Sequence, residues 1–135
     1  MERLAVRRTL DLACSADALW RMVSHPEELA SWLGSEVELD LHVGGGGRIV
    51  DDDGTARRLA VHEVVEGERL AFAWWPEEDE AAASEVVFVI ERTDQGSRLL
   101  ITETAAGVAQ ATATTSWDVR IISLWLAVCS HAVTV

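Results

Sequence analysis

Arg48, His62, Glu63, Glu103, Asp118 and Arg120 are the side chains of this chain best suited to polar chemistry inside a folded domain. A carboxyl group facing a dry interior favours its neutral form, so Glu63 or Glu103 beside Arg48 or Arg120 could serve acid/base chemistry on an apolar substrate. Strand alternation gives Glu63 the parity of Leu59, Val61 and Val65, and Glu103 that of Leu99 and Ile101, which points both inward. Glu63 can equally stand on the solvent side, the commoner place for a glutamate. His62 has the opposite parity and makes no dyad with Glu63.

Other chemistries lack their residues. His25, His42, His62 and His131 are scattered, with no His-x-x-x-His spacing, so no metal site is expected. There is no Gly-x-Ser-x-Gly turn, and the glycines at 44–47 have neither the lysine nor the strand-to-helix setting of a phosphate loop. The acidic runs at 51–53 and 77–80 read as solvated turns. We assign no catalytic residue, metal or cofactor from the sequence.

The aromatic inventory is more telling: six Trp and two Phe, but no Tyr. Trp32, Phe72, Trp74, Phe88, Trp117, Ile121 and Trp125 are expected to line an apolar cavity, with Arg48 and Glu63 as the polar groups that orient a hydrophobic small molecule within it. The same rings can instead fill a solid core.

These residues need elements to hold them. Trp117, Ile121, Leu124, Trp125 and Val128 recur at the spacing of one helical face, and Val119, Ile122, Leu126 and Cys129 widen the apolar surface. A long, mostly buried helix is predicted, capped by Thr115 with Asp118 three residues on. Upstream, 4–12 alternates as a strand. Ser15 then caps a short helix and Pro26 opens a second that stops at Gly34. From Glu36 to Thr104, alternating segments are separated by the turn residues Gly44–Gly47, Asp51–Gly54, Glu66–Glu68 and Asp94–Gly96, and 105–114 reads as a loop. The expected fold is α+β: a curved antiparallel sheet of six or seven strands around the C-terminal helix, with two short helices after the first strand.

The 135 residues suit one domain, 1–135. A formal charge of −12, with 11 basic against 23 acidic residues, opposes nucleic acid or an anionic membrane as partner. No stretch has the run of about 20 apolar residues that spans a bilayer, and no leader pattern opens the chain, so a cytoplasmic protein is expected. Cys14 and Cys129 read as small hydrophobes rather than a disulfide. The apolar helix, ending in Ala132-Val133-Thr134-Val135, offers a surface for a homodimer.

The string Asp17-Ala18-Leu19-Trp20, followed by His25-Pro26-Glu27-Glu28-Leu29-Ala30-Ser31-Trp32-Leu33-Gly34, resembles the opening of the activator of heat-shock protein 90 ATPase-like domains. These belong to the START/birch-pollen-allergen helix-grip (SRPBCC) superfamily. The resemblance continues through Gly45-Gly46-Gly47-Arg48, the segment 61–74, Ser84-Glu85-Val86, the segment 98–103 and Trp117, and so covers essentially the whole chain. It implies a long helix gripped by a curved sheet, often around an apolar cavity. Superfamily members bind lipids, sterols or polyketide-like molecules, and some are cyclases or hydrolases. The resemblance therefore implies a START-like domain binding a hydrophobic small molecule between sheet and helix. The alternatives are a cyclase- or hydrolase-type enzyme using the same cavity, or a stress- or chaperone-related interaction domain. Co-chaperone activity belongs to larger proteins with a further N-terminal domain and is not carried over, because fold does not fix function.

Overall fold

A computed structural model of the chain describes residues 3–106 and 117–127. Seven strands form one antiparallel sheet in the order β1-β7-β6-β5-β4-β3-β2. They are β1 (Arg3–Leu12), β2 (Glu36–Leu39), β3 (Gly46–Val50), β4 (Ala56–Val65), β5 (Arg69–Pro76), β6 (Ser84–Thr93) and β7 (Gly96–Ala106). Helices α1 (Ala16–Ser24) and α2 (Pro26–Leu29) carry the chain from β1 at one edge to β2 at the other. A helix over 117–127, here α3, lies on the inner face. The expected cap at Thr115, most of the loop at 105–114, and Val128, Cys129 and His131 lie outside the described residues; β7 itself runs on to Ala106.

Alternation builds the inner face strand by strand. Val6, Leu10 and Leu12 of β1, Leu99 and Ile101 of β7, Val86, Phe88 and Ile90 of β6, and Leu70, Phe72 and Trp74 of β5 are buried. Ile49, Leu59 and Val61 complete it on β3 and β4. Facing charges on the outer side are paired, as with Arg98 and Asp11 at 2.7 Å.

Two local features set what reaches that face. The glycine run closes the β2–β3 connection: a Cβ at Gly45 would collide with the Asp40 carbonyl, while Gly45 accepts from Val61 N–H at 2.8 Å. Beyond that contact β4 bulges. Its register passes from Val61 opposite Phe72 to Glu63 opposite Ala71, leaving His62 unpaired and reversing the parity that follows. Val64, not Glu63, then turns toward the core.

On the helical side, Ser15 Oγ accepts from Ala18 N–H at 3.1 Å and starts α1, which buries Leu19, Trp20, Met22 and Val23. The α1 carbonyl of Met22 accepts from Trp32 Nε1 at 2.8 Å, which fixes that indole over the sheet. Among the described residues no helix is long and apolar enough to cross a membrane.

Candidate functional site

Five rings meet under α3. Trp32 lies 5.7 Å from Phe88, Phe72 lies 5.7 Å from both Trp74 and Phe88, and Trp117 lies 6.0 Å from Phe88 and 5.8 Å from Trp74. These are ordinary packing separations, so the rings close on one another as a core cluster. Ile121 packs against it, half-buried.

Glu103 occupies one end of the cluster, between Val6 of β1 and Val86 of β6. Uninterrupted alternation along β7 turns it inward, and it is buried. Its Oε2 accepts from Trp74 Nε1 at 2.7 Å and from Ser84 Oγ, and its Oε1 accepts from Trp117 Nε1 at 2.7 Å. One carboxyl group therefore joins β5, β6 and α3.

Arg120, one helical turn after Trp117, extends the polar system. Its Nε donates to the Leu33 carbonyl at 2.9 Å and its Nη2 to Asp51 Oδ1 at 3.0 Å. Asp51 Oδ2 accepts from Arg57 Nη1 at 2.5 Å. Both guanidinium groups lie over Trp74, at 5.0 Å for Arg120 and 4.9 Å for Arg57, and Arg120 is also 5.5 Å from Trp117. Burial pushes the Arg120 guanidinium below its ordinary pKa; Asp51 pulls it back up and Arg57 opposes that. It remains a cation, as arginine does in proteins.

Above Arg120 the surface opens into a cleft of about 330 Å³. Its walls are 30–34 after α2, the β3–β4 turn at 51–53, and Val119, Arg120 and Ser123 of α3. Trp32 belongs both to this cleft and to the ring cluster.

Three expected cavity residues lie elsewhere. Glu63 follows the bulge, so it faces outward and pairs with Arg69 at 2.5 Å. Arg48 stands opposite in parity to the buried Ile49 and pairs outside with Glu77 at 2.6 Å, which holds the Glu77 carboxyl below its usual range. That pair's contribution is present above the usual carboxylate pKa and is lost as pH falls through Glu77's lowered one. Trp125 is 52% exposed because the buried stripe of α3 runs through Trp117, Arg120 and Leu124, turned away from Trp125 by the burial of Arg120. Val119 and Ile122 are exposed on the same account, so α3 buries one face rather than most of its circumference. His62 is an exposed bulge residue 3.8 Å from Glu85, and Asp118 pairs with Arg8 at 2.9 Å at the rim.

Asp51 was masked in the sequence by its place in an acidic turn. The available signal was Arg120 itself: a cation three residues after Trp117 and four before Leu124 falls on the buried stripe and needs a carboxylate to meet it.

The sequence from 13 to 120, which holds the ring cluster, Asp51, Glu103 and Arg120, matches the family described as "Activator of Hsp90 ATPase homolog 1-like protein". The chain belongs to that family. No curated protein matches it. Among solved structures, protein MLL2253 from Mesorhizobium loti superposes with a TM-score of 0.84 at 21% identity, covering 95% of this chain and 98% of that one. CalU16 from Micromonospora echinospora gives 0.76 at 17% identity, over 98% and 88% of the two chains. DynU16, a protein of the dynemicin biosynthetic locus, gives 0.77 at 20% identity, over 89% of this chain and 45% of that one. At these identities the likeness is one of fold, and it establishes the helix-grip α+β class for this family member.

Proposed function

We propose that this protein is a START-like binding module that takes a compact, largely apolar small molecule into the cleft beside α3. Trp32, Leu33 and Val119 supply the apolar contact, and Arg120 the polar one. The observation that carries this reading is the cleft itself, which leads from solvent to the buried Trp32 and Arg120. Its size is at the lower end of the roughly 300–1,000 Å³ typical of small-molecule sites. The closed ring cluster supports placing the ligand at the end of the sheet–helix interface rather than within it. Binding is favoured over catalysis because Glu103 is held by three donors and Asp51 by two arginines, while Asp52 and Asp53 stand on an exposed turn, so no carboxyl group is presented to a guest in a dry setting.

The test is a titration with 2-ethylnaphthalene followed by amide and indole NMR shifts. Shifts are expected at Ser31, Gly34, Ser123 and the Trp32 indole. Ser123→Trp, which fills the cleft from a half-buried helix position, is expected to weaken binding about tenfold or more. Shifts confined to other surfaces, or unchanged affinity in a folded Ser123→Trp protein, would refute the reading.

One observation favours a second role, self-association: Val119, Ile122 and Trp125 form an exposed apolar face on α3. A dimer at micromolar concentration, returned to monomer by Trp125→Glu, is the expected sedimentation result. A wild-type monomer under those conditions would remove this role.

A further inference from the structure

The guanidinium of Arg120 carries five N–H bonds in a rigid plane. Nε and Nη2 are engaged by Leu33 and Asp51, but Nη1 is buried and has no hydrogen-bond partner among the described residues. Trp74 and Trp117 attract the cation through their ring faces, yet an indole face offers no lone pair for a directed N–H bond. A buried donor left unpaired costs more than a made hydrogen bond returns, so a native structure that keeps one calls for an explanation. Arg120 is only 6% exposed and lines the cleft.

Resting on the cleft reading above, we infer that the guest is a neutral molecule whose carbonyl-type oxygen accepts from the Arg120 guanidinium while its apolar body lies on Trp32, Leu33 and Val119. The charge of the surroundings and the unpaired donor together select neutrality. Asp51 already balances Arg120, with Glu103 adding to the attraction, and Asp52 and Asp53 stand in the same wall. Thr55 N–H donates to Asp53 at 2.9 Å and holds its carboxyl below the usual range, so Asp53 stays negative at neutral pH. An anionic guest would meet that wall, in a chain of net charge −12, where Arg120, the one cation among the described residues that line the cleft, is already paired with Asp51. A cationic guest would be drawn to that wall, but an ammonium group has no lone pair with which to accept from Arg120 Nη1. A neutral acceptor avoids the repulsion an anion meets and satisfies the donor. Reaching Nη1 takes a side-chain shift at the cleft floor, an adjustment side chains ordinarily make on binding.

The experiment compares 2-acetonaphthone, 2-ethylnaphthalene and 2-naphthoate, which share one ring system and differ in the group offered to Arg120. Affinities are read from the shifts of Ser31, Gly34 and Ser123, so binding is located as well as measured. In the wild-type protein at neutral pH, acetonaphthone is expected to bind about tenfold tighter than ethylnaphthalene, and tighter than naphthoate. In Arg120→Met the ketone's advantage is expected to vanish while ethylnaphthalene still binds. The wild-type comparison stands even if that variant does not fold. Equal affinity for ketone and hydrocarbon at the cleft would overturn the inference and leave the binding module standing. Naphthoate binding tightest would overturn it in favour of an anion site. No cleft shift with any of the three would remove both.

Discussion

Replacing Glu103 by alanine is expected to lower the free energy of unfolding by about 3–5 kcal/mol. The substitution removes the acceptor of Trp117 Nε1 and of the Ser84 hydroxyl and leaves Trp74 Nε1 with its longer bond to Ser84 Oγ, at 3.1 Å, all within the buried end of the ring cluster. Each unpaired buried donor costs about 1–3 kcal/mol, and two such donors together with the lost Trp74 bond give a total of that order. A domain of this size has only about 5–15 kcal/mol in hand, so the variant gives up a large share of its stability. Glu103→Gln keeps the shape and one acceptor but turns an amide donor toward other donors, and should fall between wild type and alanine. Urea unfolding curves followed by circular dichroism would measure both. A loss below about 1 kcal/mol for alanine would mean that the two indoles find other acceptors and that the carboxyl group does not hold the helix.

Trp117→Ala should cost a comparable amount for a different reason. The side chain is fully buried, stacks on Trp74 at an interplanar angle of 24°, and stands edge-on to Phe88. Removing it leaves a cavity as well as an unused acceptor on Glu103, and buried Trp→Ala changes cost about 3–5 kcal/mol. Trp117→Phe separates the two parts, retaining most of the ring contact while losing the N–H. Its cost should be about 1–2 kcal/mol, within the range for one lost buried hydrogen bond. Combined with Glu103→Gln, it should show non-additivity of about 0.5–3 kcal/mol, because the two changes share a bond. Strict additivity would show that the 2.7 Å contact carries no energy.

The inward turn of Glu103 could be read from the sequence because β7 alternates without a break from Leu99 onward. The same reasoning fails at Glu63, where the rule holds as far as Val61 and the bulge at His62 reverses it. Nothing local announces that bulge; it begins where Val61 exchanges backbone hydrogen bonds with the neighbouring glycine connection, accepting from Gly44 and donating to Gly45. Trp32, Phe72, Trp74, Phe88 and Trp117 were recognisable as partners by type and parity, but whether they enclosed space or filled it depended on ring angles that no spacing encodes. Periodicity also placed α3 correctly while misjudging its rotation, since it weighs apolar residues and gives no weight to a buried arginine. The cleft is the least visible feature in the sequence. It joins Ser31, Asp52 and Ser123, which no element contains together.

The stacked indoles of Trp74 and Trp117 also make the molecule its own optical instrument. Chromophores held this close at a fixed angle exchange excitation, and the sign and size of the resulting near-ultraviolet dichroism depend on that angle. One partner belongs to the sheet and the other to the terminal helix. Undocking of the helix would therefore erase the coupled signal while the far-ultraviolet signature of the strands persisted. The grip of sheet on helix can be followed without any label, separately from the unfolding of the domain.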